Sequence, residues 1–287
     1  MKRISRLISI CLVALTFLPL TVSGQARINT KRIRIADLTT HTVKVVLSGN
    51  DMTDSALKNE VSARLRISPY EFCDSEEYKS IKENTDYYFL LLARSNEKKY
   101  RGILTLTLMK GGKYGAEDPE KRPVEVASLP FCSSEFPSGR EVAFLPALLD
   151  IIQDYASKAV ISDRAGYRGF KIYAKNVSRT GNMRIFFCED DIAPEIDAAF
   201  KDKYFDEDML VEDESVVDAE LAKGSYNTLV SYTVSPFDPQ NGSYCYKMLI
   251  DAETAGKAAV EAAASKAEGE LSELRRQAER AKEQTRQ

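Results

Sequence analysis

A chain of 287 residues with a net charge of −3, five cysteines and a single histidine is long enough for two small domains or one large core. Its acidic balance excludes nucleic acid or an anionic membrane as the main partner. One histidine and no C-x-x-C spacing leave no recognisable zinc site, so the sequence calls for no metal and no cofactor.

Residues 1–26 read as a secretory signal peptide. Lys2, Arg3 and Arg6 form the basic start, 7–20 is an apolar run, and Gly24 and Ala26 offer small residues for cleavage. Removing three cations and no acids takes the net charge from −3 to −6. No later run approaches the roughly 18 apolar residues that span a bilayer, so no transmembrane segment is expected after cleavage. The expected location is the periplasm or the outer membrane.

The first α/β unit is expected at 27–115. Val43, Val45 and Val46 belong to a strand covered on both faces. Thr53 or Asp54 can cap a helix with Leu57, Val61 and Leu65 on one stripe. A second strand ends at Cys73, and Pro69 marks it as short or at an edge. Asp74 caps a helix turning Tyr78 and Ile81 inward, 87–93 is a third buried strand, and 102–109 an antiparallel fourth. The Gly-rich 111–115 opens no helix and reads as a plain turn. Residues 116–141, with Pro119, Pro123, Pro130 and Pro137, read as a long connection holding at most one short strand.

The second unit spans 142–251. An amphipathic helix at 145–161 leads it, followed by a strand at 169–177 carrying Phe170, Ile172 and Tyr173. From 182 the pattern of the first unit returns: a strand to Cys188 and a helix entered at Pro194, with Ile196, Phe200 and Tyr204 on one stripe. A strand at 209–211 follows, then a helix with Val216, Val217 and Leu221 inward, and strands at 226–234 and 243–250. A nearly constant offset maps Leu57 onto Ile196, Val61 onto Phe200, Phe72 onto Val211 and Tyr87 onto Tyr226. The expected fold is therefore α/β, two similar βαβαββ units with mostly parallel sheets. Residues 252–287 turn Ala/Glu-rich and predict a C-terminal projecting helix.

The chemistry-bearing residues are acidic. Asp51, Glu189, Asp190 and Asp191 follow the first strand of each unit; Asp74, Glu212 and Asp213 follow the second. That edge of a parallel sheet is where such folds place ligands, and Ca²⁺ is the metal such oxygens suit. The plainer reading makes the same residues helix caps. Cys73, Cys132, Cys188 and Cys245 allow three disulfide pairings in an oxidising compartment, although Cys188 and Cys245 also suit buried apolar positions. His41 has no matching nucleophile motif and reads as a loop residue.

The segment 185–191, Ile-Phe-Phe-Cys-Glu-Asp-Asp, resembles the acidic start of a response-regulator receiver domain, but the third strand ends without a phosphoacceptor aspartate. Segments 67–73, Ile-Ser-Pro-Tyr-Glu-Phe-Cys, and 242–251, Gly-Ser-Tyr-Cys-Tyr-Lys-Met-Leu-Ile-Asp, resemble exported Bacteroidetes proteins of unknown function. That resemblance implies an envelope location and supplies no activity. The expected function is a non-enzymatic envelope protein that binds or scaffolds other envelope proteins, or a second copy, through its sheet edges and tail. The alternative is a periplasmic small-ligand or Ca²⁺ receptor using the acidic strand ends between the two units. An enzyme ranks third and would need a pocket of Tyr, Lys and carboxylates.

Overall fold

The computed structural model describes residues 31–94, 100–173, 182–192, 196–237 and 244–253, together with the backbone of a strand at 263–266. Residues 1–26, read from the sequence as a signal peptide, Pro194 and most of the tail lie outside the described residues.

The first half runs α1 (Lys31–Ile35), β1 (Thr42–Val46), α2 (Asp51–Arg64), β2 (Tyr70–Cys73), α3 (Ser75–Ile81), β3 (Tyr87–Arg94), β4 (Ile103–Lys110) and β5 (Val124–Ser133). Its sheet has the order β2-β1-β3-β4-β5. β1 pairs in parallel with β2 and β3, and β4 lies antiparallel between β3 and β5. Four of its five strands thus point one way. Pro69 does mark an edge strand, as β2 is outermost. β5 corrects the sequence reading, because the Pro-rich connection contains a ten-residue strand that is buried along most of its length. The prolines are tolerated because Pro123 precedes the strand, while Pro130 sits on the outer edge beside a register shift between Leu104 and Thr105. Gly111 ends β4 where a Cβ would meet Asn84 O at 2.0 Å, so this turn admits no side chain.

α4 (Glu141–Ile161) starts four residues earlier than the periodicity predicts and carries Pro146 inside its second turn. The strand predicted at 169–177 is not formed over its described part. Ser162 accepts the Ala165 N–H and starts a further helix, α5 (Asp163–Arg168), which ends in a 3₁₀ turn over Gly169–Ile172. Phe170 and Tyr173, whose aromatic character imitates a strand, pack near Tyr155 of α4 instead.

The second half runs β6 (Arg184–Cys188), α6 (Ala198–Tyr204), β7 (Met209–Glu212), α7 (Glu214–Lys223), β8 (Thr228–Val234), β9 (Tyr244–Asp251) and β10 (Ala263–Lys266). Its order, β10-β9-β8-β6-β7, matches that of the first sheet with the same parallel and antiparallel pairings. Three details differ from the sequence reading. α6 begins at Ala198 behind the cap Asp197, so Ile196 precedes it; Tyr204 is exposed and no residue of the helix is buried. Val216 faces out, whereas Val217 and Leu221 are buried. Register also shifts one equivalence: Thr42 pairs with Tyr87 and Arg184 with Thr228, which matches Tyr87 to Thr228 rather than to Tyr226. In the tail, 263–266 pairs with β9 as strand where helix is predicted.

One apolar core unites the halves. α4 is buried at Phe144, Leu145, Leu148, Leu149, Ile151, Ile152 and Tyr155, and it packs against α1, α2, α5 and β5 on one side and α7 on the other. A helix apolar nearly all round suits burial on several sides. No described helix is long and apolar enough to cross a membrane. Tyr232 of β8 donates to Phe131 O of β5 and stacks on Phe144 at 4.2 Å, so the second sheet is fixed directly to the first.

Candidate functional site

A cleft of about 390 Å³ opens where the halves meet. Its walls are Cys132, Phe136, Ser138 and Arg140 from the end of β5 and the approach to α4, and Cys188, Asp190, Asp191 and Glu214 from the second half. Residues 232–237, at and beyond the end of β8, complete it. Its location follows from the strand order. The chain leaves β6 for β7 on one side and returns from β7 to β8 on the other, so the crossovers diverge above the carboxyl ends of β6 and β8. Such switch points leave a crevice in open α/β sheets.

The corresponding corner of the first sheet is closed. Asn50 caps α2 by accepting the Thr53 N–H, while buried Asp54 accepts from Ser48 N and Oγ at 2.7 Å and from Gly49 N at 2.9 Å. Asp54 therefore anchors the strand end and is not the cap that the sequence allows it to be.

Arg140 holds the open corner together. Its side chain is only 5 % exposed; Nε donates to Asp218 Oδ1 at 2.8 Å and Nη1 to Asp191 Oδ2 at 3.3 Å. Nη2 donates to Ser231 O at 3.4 Å, and the guanidinium lies 5.1 Å from the Phe144 ring centre. Burial works against the arginine charge, but Asp218 and Asp191 more than offset it and its pKa is raised. Burial also raises both carboxyls, against the pull of Arg140. Ser231 Oγ accepts the Cys188 N–H at 3.2 Å, tying the end of β6 to β8.

At the mouth, Phe136 and Phe237 are 61 % and 64 % exposed with ring centres 4.2 Å apart. On the floor, one ligand atom each from Cys188, Asp190 and Glu214 lie within 4.8 Å of one another. Burial pushes the Cys132 thiol up to about 12 and raises that of Cys188 as well.

Of the seven predicted acidic residues, only Asp190 and Asp191 line the cleft. Asp74 caps α3 by accepting from Glu76 N and Glu77 N, Asp51 is exposed in the first turn of α2, and Asp213 stands at the N-cap position of α7 without a side-chain capping hydrogen bond. Glu189 is exposed in the 3₁₀ turn after β6. The cleft therefore does not gather the acidic residues of both units; the helix-cap reading holds for Asp74. Cys73, Cys132 and Cys188 are buried free thiols, so none of the three disulfide pairings among the four cysteines is formed. His41 Nε2 lies 3.7 Å from Asp37, beside a group in which Tyr88 and Lys110 also bind that carboxylate. These residues line neither the cleft nor the wider groove of about 990 Å³ between α2, α4 and α7.

Sequence reasoning missed Arg140, Glu214 and the phenylalanine pair. Arg140 sits in a stretch that reads as linker, and Glu214 lies 24 residues beyond Asp190 with no motif joining them. Comparison with protein-family models, with curated proteins and with solved structures finds no match.

Proposed function

We propose that the chain is a non-enzymatic exported cell-envelope protein that acts as a binding module, with the cleft between its halves as the recognition surface. The observation that carries this reading is the cleft's construction: an exposed aromatic pair beside charged side chains, at the switch point above the carboxyl ends of β6 and β8. Paired exposed aromatics supply the apolar anchor that protein interfaces favour, and the polar rim supplies specificity. Burial raises the pKa of both cleft thiols, and the chain's only imidazole, His41, is not among the cleft residues, which favours binding over nucleophilic catalysis. The partners proposed are other envelope proteins, with the C-terminal segment as a second contact to them or to another copy.

The test is capture from native envelope by wild type, by Phe136→Ser/Phe237→Ser, and by Tyr204→Ser as an exposed aromatic elsewhere on the surface. Wild type and Tyr204→Ser should retain the same partner and the double variant should lose it. Retention by the double variant overturns the reading. A second reading, a small-ligand receptor, is favoured by the cleft volume, which falls in the range of about 300–1,000 Å³ typical of such sites. A low-molecular-mass compound released on denaturing the native protein would identify it.

A further inference from the structure

We propose that the protein docks on an anionic lipid surface through a cationic, tyrosine-bearing patch built by α1, α5 and the last turn of α4. Ser162 ends α4 and caps α5, and it leaves Ile161, the final residue of α4, 74 % exposed. On α5, Ala165 and Gly166 are buried, and Gly166 lies against α1, where an added Cβ would stand 3.6 Å from Lys31 Cβ. Arg164, Tyr167 and Arg168 form the outward face, at the i, i+3, i+4 spacing that makes side chains neighbours. Tyr167 is 64 % exposed, and Ile33 on the adjoining α1 is 46 % exposed. Exposed apolar side chains grouped in this way mark a contact surface.

The charge around them is of one sign. Arg32, Arg164 and Lys171 are exposed and Arg168 is half-buried, whereas the only acid in α1 and in 161–173 is Asp163, 3.9 Å from Arg32. Lys79, Lys158 and Lys223 elsewhere on the surface each meet an acid three or four residues away. Arg164, Arg168 and Lys171 form no ion pair among the described residues. Their complement is therefore a surface that brings its own negative charge.

A bilayer fits this patch better than an acidic protein does. Neither the cleft nor the wider groove reaches it, so it offers no pocket for a partner's anchoring side chain. Instead it presents a tyrosine and two isoleucines among long cationic side chains, the composition that settles at the boundary between headgroups and acyl chains. The chain as a whole is acidic, but at physiological ionic strength charges are screened beyond about 8 Å, so the patch acts locally. Arg140 and the cleft stand at the opposite end of α4, which is 21 residues or about 30 Å long, so a docked chain keeps its cleft uncovered.

The inference goes beyond the binding-module reading and uses a different surface. Protein purified after export is sedimented with vesicles of phosphatidylglycerol and phosphatidylcholine in equal parts, and with vesicles of phosphatidylcholine alone. Expected is sedimentation with the anionic vesicles only, with release at high salt. Each cation at such a surface contributes roughly fivefold in affinity, so Arg164→Gln/Arg168→Gln should weaken binding by roughly twentyfold. Ile161→Ser/Tyr167→Ser, which keeps every cation, should weaken it as well, and Lys79→Gln on α3 should leave it unchanged. No sedimentation of wild type with anionic vesicles, equal sedimentation with neutral ones, or wild-type affinity in the arginine variant each overturns the proposal. So does capture of an acidic protein, lost in the arginine variant, by a wild type that ignores vesicles. Phe136→Ser/Phe237→Ser should bind vesicles like wild type, and loss of binding there would place the contact at the cleft and overturn it. The arginine variant should still capture the cleft's envelope partner, so failure of lipid docking and failure of the binding-module reading are read separately.

Discussion

Replacing Arg140 by methionine keeps an unbranched apolar stem near the Phe144 ring but deletes the guanidinium, leaving Asp191 and Asp218 without their counter-charge. The arginine side chain is 5 % exposed and the two carboxylates 15 % and 20 %, so water replaces the lost partner poorly. Removing one member of a buried pair typically costs about 3–5 kcal/mol; partial exposure lowers that figure and stranding two acids raises it, giving about 4 kcal/mol. For a body of this size the midpoint of thermal unfolding should fall by roughly 8–16 °C. Urea unfolding at neutral pH measures the free energy directly. The sign with pH follows from the carboxyls. Burial raises both in the folded protein, and removing Arg140 raises them further, so their protonation favours the folded form and the penalty of Arg140→Met should shrink as pH falls through their folded pKa values. Adding Asp191→Asn and Asp218→Asn should recover at least half of the loss. A penalty below about 1 kcal/mol at neutral pH, or one that is unchanged in acid, would refute the view that this pair is desolvated.

Three further outcomes are expected. Gly102, at φ +80°, faces Pro236 across the two halves, and an added Cβ would lie 2.6 Å from the proline Cβ; Gly102→Ala should destabilise by about 2–4 kcal/mol in urea unfolding, and a neutral result would mean the halves do not meet there. Burial opposes the charge on Asp37, but hydrogen bonds from Lys110 and Tyr88 outweigh it and hold the carboxyl below the usual range; its contribution is therefore present above the unfolded pKa and lost as pH falls through the folded one, and Asp37→Asn should flatten the acid limb of a stability-against-pH curve. Cys73, raised to about 11, and Cys132, raised to about 12, should resist iodoacetamide in the native protein and react on addition of urea, with mass spectrometry finding no disulfide among the four cysteines; prompt native labelling of both would contradict their burial.

The α/β class and most strands were legible because valine and leucine runs covered on both faces leave a plain signature, as in β1 and β3. The cleft was half legible. Asp190 and Asp191 follow a buried strand, and the strand-end rule applies to them without any knowledge of tertiary contacts. Arg140 carries no such local mark; its role exists only because the start of α4 docks against the turn after β6 and against α7, a closure between residues 51 and 78 positions apart. β5 escaped because its prolines resemble those of a linker, and only its place at the sheet edge makes them acceptable. Phe170 and Tyr173 misled in the opposite direction, since residues that favour strands serve equally well to cover a helix. Ile196 shows the limit of periodicity: the spacing continues past the point where Asp197 starts the helix.

The shared helix α4 also constrains how the protein reaches its final shape. Emerging N-terminal end first, the chain can complete β1 to β5 and lay one flank of α4 upon them, but the opposite flank stays bare until Leu221, Val230 and Tyr232 arrive some sixty to ninety residues later. During that interval a greasy ridge is open to any passing chain, the circumstance in which larger proteins aggregate or recruit chaperones. Cutting the polypeptide between its halves should therefore yield an insoluble first fragment, not an autonomous domain.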